Sequence, residues 1–387
     1  MKILEEVLSR KEHCIELRRY FHMHPEVSFK EYNTANKIEE ELDRMNIEHY
    51  RVGETGICAI VYGNNPGKTL ALRADIDALP ISEKNNKPYK SVNEGVMHAC
   101  GHDGHTATLL TALDVLKDLE FDGEMRFFFQ QAEEHGAGAR QFVQAGWCED
   151  VDRIVGYHGW SNHPVGTVSC TPGPVMASCD YFKIHVHGKS AHVSVPHEGI
   201  DALYIGSQIV TALQGIVARK VAPLDTVIVG IGKMVAGTAY NIVAQDAILE
   251  GTTRSFTPET RKMVNDSVVT ISKSIAEAYG ATCEVTFSDY SAPVVNNEEV
   301  AKEMEEVASL FADKVITNEE KRLGADDYAD YLLEVPGMYM FVGTRSESDS
   351  DTWVAQHNDH YDIDENSMLL AASILVSYAR KFFNSEI

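Results

Sequence analysis

Helical and strand-like hydrophobic patterns alternate along the first half of the chain. Leucines recur at helical spacing in residues 106–119, and residues 4–21 form an amphipathic helical stretch. Four mainly apolar segments look like strands, residues 56–62, 69–76, 123–131 and 153–158. This alternation predicts helices on both faces of a largely parallel sheet.

The pattern changes after residue 180. Residues 181–188, YFKIHVHG, alternate strictly between polar and apolar side chains, as a half-buried antiparallel strand should. The pattern then predicts, in order, a helix at 199–219, strands at 225–234 and 244–254, a helix at 258–279 and a strand at 282–289. The order β-α-β-β-α-β is the split βαβ, ferredoxin-like arrangement.

The length of 387 residues suits two domains. Residues 291–299 are predicted to return to helix, and the apolar run 337–343 is predicted to be another buried strand. We therefore expect an α/β protein with a mixed, mostly parallel sheet, formed by residues 1–180 and 292–387. Residues 181–291 are expected to be a smaller inserted domain.

Charge and cysteine content narrow the choice of partners and location. With 34 Lys and Arg against 58 Asp and Glu, the formal charge is −24, which disfavours nucleic acid and anionic membrane surfaces. No apolar run approaches the ~20 residues of a membrane span, and the charged N-terminus is unlike a signal peptide. Seven scattered cysteines without CxxC spacing favour reduced thiols and a cytoplasmic location.

Residues 97–105, MHACGHDGH, crowd metal-binding side chains between glycines. Cys100 and His102 are two positions apart, so they can converge only from a turn, which Gly101 and Gly104 permit. A thiolate and an imidazole together suit Zn²⁺ and neighbouring divalent metals. Asp103 is interpreted either as a cap of the following helix or as an acceptor that orients an imidazole.

An isolated Cys-x-His would be interpreted as ordinary surface or core residues, but further donors follow other predicted strands. They are Glu133 and Glu134, His158, and the pair His357 and His360. Neighbours on an extended segment point to opposite sides, so one glutamate could bind metal while the other acts as a general base. The alternative is a solvated, charged turn.

Six segments together resemble the M20 metallopeptidase family almost from end to end. They are LRADIDALPI (72–81), MHACGHDGH (97–105), FFFQQAEEHGAGA (127–139), GKSAHVSVPHEGIDA (188–202), GTTRSF (251–256) and GADDYADYL (324–332). Within the family, the chain is similar to the amidohydrolase branch of aminoacylases, hippurate hydrolases and auxin-conjugate hydrolases. The resemblance implies a catalytic domain holding two divalent metal ions per subunit, with an inserted lid that forms a homodimer.

The resemblance also assigns roles. The implied metal ligands are Cys100, His102, Glu134, His158 and His357, with Cys100 bridging the ions, and Glu133 is the implied base. Many relatives carry His-x-Asp where this chain has Asp75-Ile76-Asp77, and a bridging carboxylate where it has Cys100. The metals therefore stay open among Zn, Mn, Co and Ni.

Three further residues match the family's lid and substrate contacts. His192 resembles a histidine that reaches the active site of the partner subunit, and Asn241 and Arg254 resemble residues that hold a substrate carboxylate. From the residues alone, a packed histidine and an unpaired surface arginine are the competing interpretations.

The expected activity is hydrolysis of N-acyl amino acids by water that the metals activate. A dipeptidase or carboxypeptidase of the same family is the nearest rival, since it would differ in the substrate pocket and not in the ligands. A thiol amidase with Cys100 as nucleophile would leave the glutamates and the other histidines without a task. A non-catalytic metal-binding protein would be expected to lack the base Glu133.

Overall fold

The computed structural model describes the backbone of residues 1–384 and the side chains of all of these except Asp289 and Asp351. The chain forms two compact units. Unit 1 comprises Met1–Gly173, Val295–Glu320 and Asp326–Ile387, and unit 2 comprises Pro174–Val294 and Lys321–Ala325.

The helices are, in chain order, α1 (Glu5–Leu8), α2 (Lys11–Met23), α3 (Tyr32–Arg44), α4 (His102–Leu116), α5 (Gly138–Gln144), α6 (Ala202–Arg219), α7 (Pro258–Ala278), α8 (Glu298–Ala308), α9 (Tyr328–Leu332) and α10 (Asn366–Phe382). Short 3₁₀ turns occupy Glu133–His135, Pro196–Glu198 and Ser350–Trp353. Among the described residues, no helix combines the length and apolar character needed to cross a bilayer.

The strands are β1 (Glu48–Val52), β2 (Gly56–Tyr62), β3 (Lys68–Asp75), β4 (Gly123–Gln130), β5 (Arg153–Pro164), β6 (Thr167–Ser169), β7 (Gly173–Met176), β8 (Cys179–His187), β9 (Ile228–Ala236), β10 (Asp246–Arg254), β11 (Thr282–Ser291), β12 (Val294–Asn296), β13 (Lys314–Ile316) and β14 (Gly337–Arg345). All the strands predicted from the sequence are among them; β2 has the predicted ends, and the others are shifted at one or both ends.

Unit 1 is built on an eight-stranded sheet in the order β1-β2-β4-β3-β5-β14-β6-β13. Its four central strands, β4, β3, β5 and β14, run parallel to one another, whereas β1 pairs antiparallel with β2, β2 with β4, and β6 with β14. The edge strand β13 pairs in parallel with β6. The prediction of a mixed, mostly parallel sheet is confirmed. The parallel centre brings the carboxyl ends of β3 and β4 to one edge, which carries the candidate site.

The phenylalanines of β4 show why a central strand carries apolar residues at successive positions. Phe127 and Phe129 belong to the core cluster that contains residues of α4 and α10, while Phe128 makes tilted ring contacts with Phe142 of α5 and Tyr331 of α9. Successive side chains face opposite sides of a strand, so a strand covered on both faces needs apolar residues at every position.

Several element boundaries differ from the prediction. Helix α4 starts at His102 and not at 106, because Gly101 adopts the left-handed conformation with φ 97° and turns the chain directly into the helix. The N-terminal helical stretch is split into α1 and α2, and 291–299 contains the strand β12 before α8 begins. Helices α3, α5, α9 and α10 were not predicted.

Unit 2 contains a four-stranded antiparallel sheet in the order β11-β8-β10-β9, joined by α6 and α7. The chain order β8-α6-β9-β10-α7-β11 is the predicted ferredoxin-like arrangement. The alternation in β8 places Phe182, Ile184 and Val186 in the core with both helices, while the intervening side chains face away from it.

Candidate metal centre

Five donor side chains that are far apart in the sequence meet in unit 1. Donor atoms of Cys100, His102 and His158 lie within 4.8 Å of one another, and so do those of Cys100, Glu134 and His357. Cys100 belongs to both groups, which gives the arrangement of two adjacent sites that share one sulfur. These are the five residues that the sequence resemblance named as ligands.

The two buried imidazoles are turned so that one nitrogen of each faces the shared centre. His102 Nδ1 donates to the carbonyl oxygen of Asp77 at 2.9 Å, and His158 Nδ1 donates to that of Gly159 at 2.6 Å. His158 Nε2 then lies 3.3 Å from Cys100 Sγ, and the buried His102 Nε2 has no hydrogen-bond partner among the described residues. A backbone carbonyl on one nitrogen commonly fixes a metal-binding imidazole in this way.

Glu134 and His357 form the more open side of the centre. His357 Nε2 lies 3.3 Å from Glu134 Oε1, and the His357 side chain is 53% exposed. His357 has a left-handed backbone, φ 65°, and its N–H donates to the carbonyl of Ala99 at 2.7 Å. This bond joins the C-terminal loop to the loop that carries Cys100.

A short turn held by two buried carboxylates presents the adjacent glutamates. Ala132 has φ 53°, and its N–H donates to Glu31 Oε1 at 2.9 Å. The N–H groups of Glu133 and Glu134 donate to the two oxygens of Asp77 at 3.2 and 3.1 Å. The prediction of an extended segment here is wrong, since Glu133–His135 is a 3₁₀ turn.

Glu133 lies beside the imidazole of His102. Its Oε2 is 3.8 Å from His102 Nε2, and the residue is 5% exposed. Burial, followed by the nearby carboxylate of Asp326, raises the pKa of Glu133 well above its ordinary value. A carboxylate whose pKa is raised in this way binds a proton more strongly than an exposed one, as a general base requires.

The electrostatics of the centre favour a bound cation. Burial and the charge of Glu134 raise the pKa of the Cys100 thiol well above its ordinary value. Burial opposes protonation of His102, but Asp75 and Asp77 outweigh it and raise the pKa of His102 to about 10. A proton on His102 thus balances the carboxylates, and a divalent ion could replace it. The sulfur, imidazole and carboxylate donors fit Zn²⁺ and its neighbours.

Comparison with known proteins decides the family. The model of Peptidase family M20/M25/M40 matches residues 71–381. The chain belongs to this family. It is therefore a hydrolytic enzyme, a metal-dependent amidohydrolase, and the resemblance inferred from its motifs is confirmed.

Similar M20 proteins carry related names. "Thermostable carboxypeptidase 2" of Saccharolobus solfataricus is 41% identical, covering 99% of this chain and 98% of its own. "N-acyl-L-amino acid amidohydrolase" of Geobacillus stearothermophilus is 43% identical, covering 77% of this chain and 81% of its own. The crystal structure of a Bacillus subtilis protein described as a dinuclear metal binding peptidase of the M20 family superimposes with a TM-score of 0.84 at 34% identity, covering 98% of this chain and 100% of that one.

Sequence reasoning missed the residues that position the donors in this M20 centre. Asp75 Oδ1 accepts from His105 Nδ1 at 2.6 Å, and its other oxygen accepts from the buried Arg73 at 2.6 Å. His105 Nε2 in turn accepts the N–H of Gly159, next to His158, at 2.9 Å. Asp75 and Asp77 stand two positions apart at the end of a predicted strand, which is the signal that could have found them.

Two local interpretations of the sequence need correction. The donor clusters do not all follow strands directly, because His158 lies inside β5 and Cys100 comes 25 positions after β3 ends. Asp103 is no cap, since it lies in the first turn of α4. It accepts from Arg18 at 2.8 Å and from His22 at 2.7 Å, and so orients an imidazole that is not among the predicted ligands.

The three predicted lid and substrate residues all lie in unit 2. His192 and Asn241 are exposed neighbours, joined through the N–H of Val193, which donates to the carbonyl of Asn241 at 3.1 Å. Arg254 ends β10 and donates to the carbonyl of Leu323 at 3.3 Å. Their roles toward substrate stay predictions.

Proposed function

We propose that the enzyme hydrolyses the amide bond of N-acyl amino acids, releasing a carboxylic acid and a free amino acid. The observation that carries the proposal is the pairing of a buried proton acceptor with converging metal donors. Glu133 Oε2 lies 3.8 Å from His102 Nε2, one of five donors that face a common centre. The amidohydrolase name of a relative 43% identical supports the choice of substrate class.

The proposed ligands for two divalent ions are Cys100, His102, Glu134, His158 and His357. When bound, Zn, Mn, Co or Ni ions would lower the pKa of water and polarise the acyl carbonyl. Glu133 accepts a proton from the attacking water as its oxygen adds to the acyl carbon. Glu133 then returns that proton to the amide nitrogen as the carbon–nitrogen bond breaks. Asp77 and Glu31 hold the turn that keeps this carboxylate in place.

We extend the proposal to substrate recognition by residues of unit 2. Arg254 and Asn241 would bind the α-carboxylate of the amino acid, and His192 of a partner subunit would stabilise the oxyanion. These roles rest on the family motifs in which the three residues stand. A guanidinium is a suitable anchor for a carboxylate in a protein whose formal charge is −24.

We also propose a homodimer formed through unit 2. Strand β9 is an edge of the unit 2 sheet, and its residue Val235 is 57% exposed. Leu203 and Tyr204 on α6 are 48% and 45% exposed. Exposed apolar groups beside an unpaired strand edge are typical of an interface.

A carboxypeptidase of the same family is the second candidate. It is favoured by the name of the S. solfataricus relative, which is 41% identical along nearly the whole chain. Both activities would use the same donors and the same base, so only the substrate separates them.

The raised pKa of Cys100 argues against a thiol amidase. A nucleophilic cysteine needs a lowered pKa, whereas burial and Glu134 raise the pKa of this thiol.

Chelation separates metal-dependent hydrolysis from hydrolysis by a thiol amidase. EDTA should abolish hydrolysis and refilling with a divalent metal should restore it, whereas a thiol amidase would keep its rate in EDTA.

The substrate proposal is tested with a panel assayed on the metal-loaded enzyme. N-acetyl and N-benzoyl amino acids would be compared with N-blocked dipeptides that carry a free C-terminal carboxylate. We expect kcat/KM for the best N-acyl amino acid to exceed that for every dipeptide by at least tenfold. A preference of the same size for dipeptides would replace the proposal by the carboxypeptidase.

A further inference from the structure

We propose that unit 2 contains a separate site for a divalent transition-metal ion, formed by His185, His187 and Asp246. The proposal does not depend on the function proposed for the centre around Cys100, since the two share no residue. Zn²⁺ is the ion we use to define and test it.

The strand register brings the three side chains to one face of the sheet. His185 and His187 are two positions apart in β8, so they point to the same side, away from the core residues Ile184 and Val186. In the ladder between β10 and β8, Asp246 is the direct partner of His187. In the ladder between β11 and β8, Glu284 is the direct partner of His185. Two imidazoles and two carboxylates from three adjacent strands therefore share one surface.

The distances match the edges of a metal coordination polyhedron. Asp246 Oδ1 lies 3.0 Å from His185 Nε2 and 3.3 Å from His187 Nδ1. Bonds of ~2.0–2.1 Å to nitrogen or oxygen in a tetrahedron put neighbouring ligand atoms about 3.3–3.4 Å apart. The three donor atoms all lie within 4.8 Å of one another. A water molecule could complete the four ligands.

The second nitrogen of His187 supports a ligand role for the first. His187 Nε2 is buried and has no hydrogen-bond partner within the part of the chain that the structure describes. It lies 3.8 Å from Glu284 Oε1, a gap that a small rotation of this exposed glutamate would close. An imidazole that binds metal through one nitrogen usually donates the other N–H to a carboxylate. Glu284 would then orient the His187 ring.

A simple hydrogen-bonded cluster accounts for less of this arrangement. Both imidazoles would have to donate to the same oxygen of Asp246, with their ring centroids only 3.8 Å apart, and His187 Nε2 would stay unsatisfied. A cation on the three donors satisfies all of them and joins β8 to β10. The side chains of His185 and His187 are 31% and 35% exposed, so an ion can reach them.

The site is tested by counting zinc on the metal-loaded enzyme. The wild type and the variants His187→Asn and Asp246→Asn would be dialysed against buffered Zn²⁺, and bound zinc would be measured by elemental analysis. We expect the wild type to bind one more zinc per chain than either variant. Glu284→Gln should retain this site but weaken it by about 10–100-fold.

His197→Asn is the matched control, because it removes an exposed histidine of the same unit outside the cluster. This control should bind as much zinc as the wild type. Circular dichroism and hydrolytic rates would verify that all variants are folded. Equal zinc counts in the wild type and in folded His187→Asn would overturn the proposal, and an unchanged affinity in Glu284→Gln would remove Glu284 from it.

Discussion

Glu133 and Glu134 are adjacent in the sequence, yet their side chains meet different surroundings. Glu133 is buried beside His102 and Asp326, and its pKa is raised. Glu134 Oε1 lies 3.3 Å from His357 Nε2 at the open side of the centre. The division of roles proposed for the pair, ligand for one and base for the other, follows from this difference in environment.

The contribution of Glu31 to holding the Glu133–His135 turn can be tested through its titration. Burial and the charge of Asp77 raise the pKa of Glu31 to about 7, while it accepts from Ala132 N–H and from Thr55. A raised folded pKa means that the stabilising contribution is complete below about pH 4.5 and is lost as the pH rises through 7.

Replacing Glu31 by Gln keeps the shape and removes this titration. We expect the stability of wild type relative to Glu31→Gln to fall by up to about 3 kcal/mol between pH 5 and pH 8. Thermal unfolding of the metal-loaded proteins across this range measures it, with Glu16→Gln on the exposed side of α2 as control. Parallel curves for wild type and Glu31→Gln would contradict the assignment.

The sequence reveals donors more readily than the residues that orient them. Cys, His and paired Glu stand in recognisable motifs, so all five donors that the structure brings together could be named in advance. Asp77, Glu31 and His105 act through backbone amides and carbonyls, and such partners depend on loops that meet only in the fold. For Glu31 and His105, no spacing in the sequence indicates this role.

At the scale of elements, the start of α4 is held by buried charge. Arg18 of α2 donates to Asp103 at 2.8 Å and to Asp362 at 2.7 Å, and all three residues are at most 2% exposed. Asp103 follows the proposed ligand His102 directly. The ion pair therefore fixes the first turn of the helix on which this ligand stands.

Removing the guanidinium would deprive two buried carboxylates of the cation that they share. We expect Arg18→Met to lower the free energy of unfolding by about 3–5 kcal/mol. Arg19→Met is a matched control, because Arg19 also lies over the ring of Tyr89 but is 44% exposed and pairs with Glu365. Its loss should be about 0–1 kcal/mol. Urea unfolding of both variants would decide, and equal losses would contradict the account.

Periodicity predicted the elements whose burial is one-sided or complete, such as β8 and β4. It misplaced the start of α4, because the buried first turn holds His, Asp and Gly instead of the leucines that mark the later turns. Helix α4 starts after Gly101, whose positive φ is a property of the backbone. The presence of this glycine in the sequence did not by itself locate the start of the helix.

At the scale of the whole molecule, sequence order predicted the ferredoxin-like topology of unit 2, since short connections leave few ways to arrange β-α-β-β-α-β. Oligomeric assembly is harder to predict from the sequence, because an interface is formed by side chains from several elements. The exposed Val235 on the edge strand β9 is the residue through which we test the proposed dimer.

We expect wild type to have twice the 42.9 kDa mass of one chain in light scattering. Val235→Lys should shift it toward the monomer, because burying a lysine in an apolar interface is unfavourable. Val92→Lys, at a site in unit 1 that is 61% exposed, is the control and should leave the mass unchanged. A monomeric wild type, or a fully dimeric Val235→Lys, would remove the proposed interface.

The central claim is that Glu133 moves protons while Glu134 and its four companions hold the metals. Metal content and turnover, measured on the same preparations of Glu133→Gln and Glu134→Gln, test it most directly. The account predicts that Glu133→Gln keeps its metal but loses about 10²–10⁴-fold in kcat, whereas Glu134→Gln loses metal as well. Near-normal turnover in Glu133→Gln, or full metal content in Glu134→Gln, would contradict it.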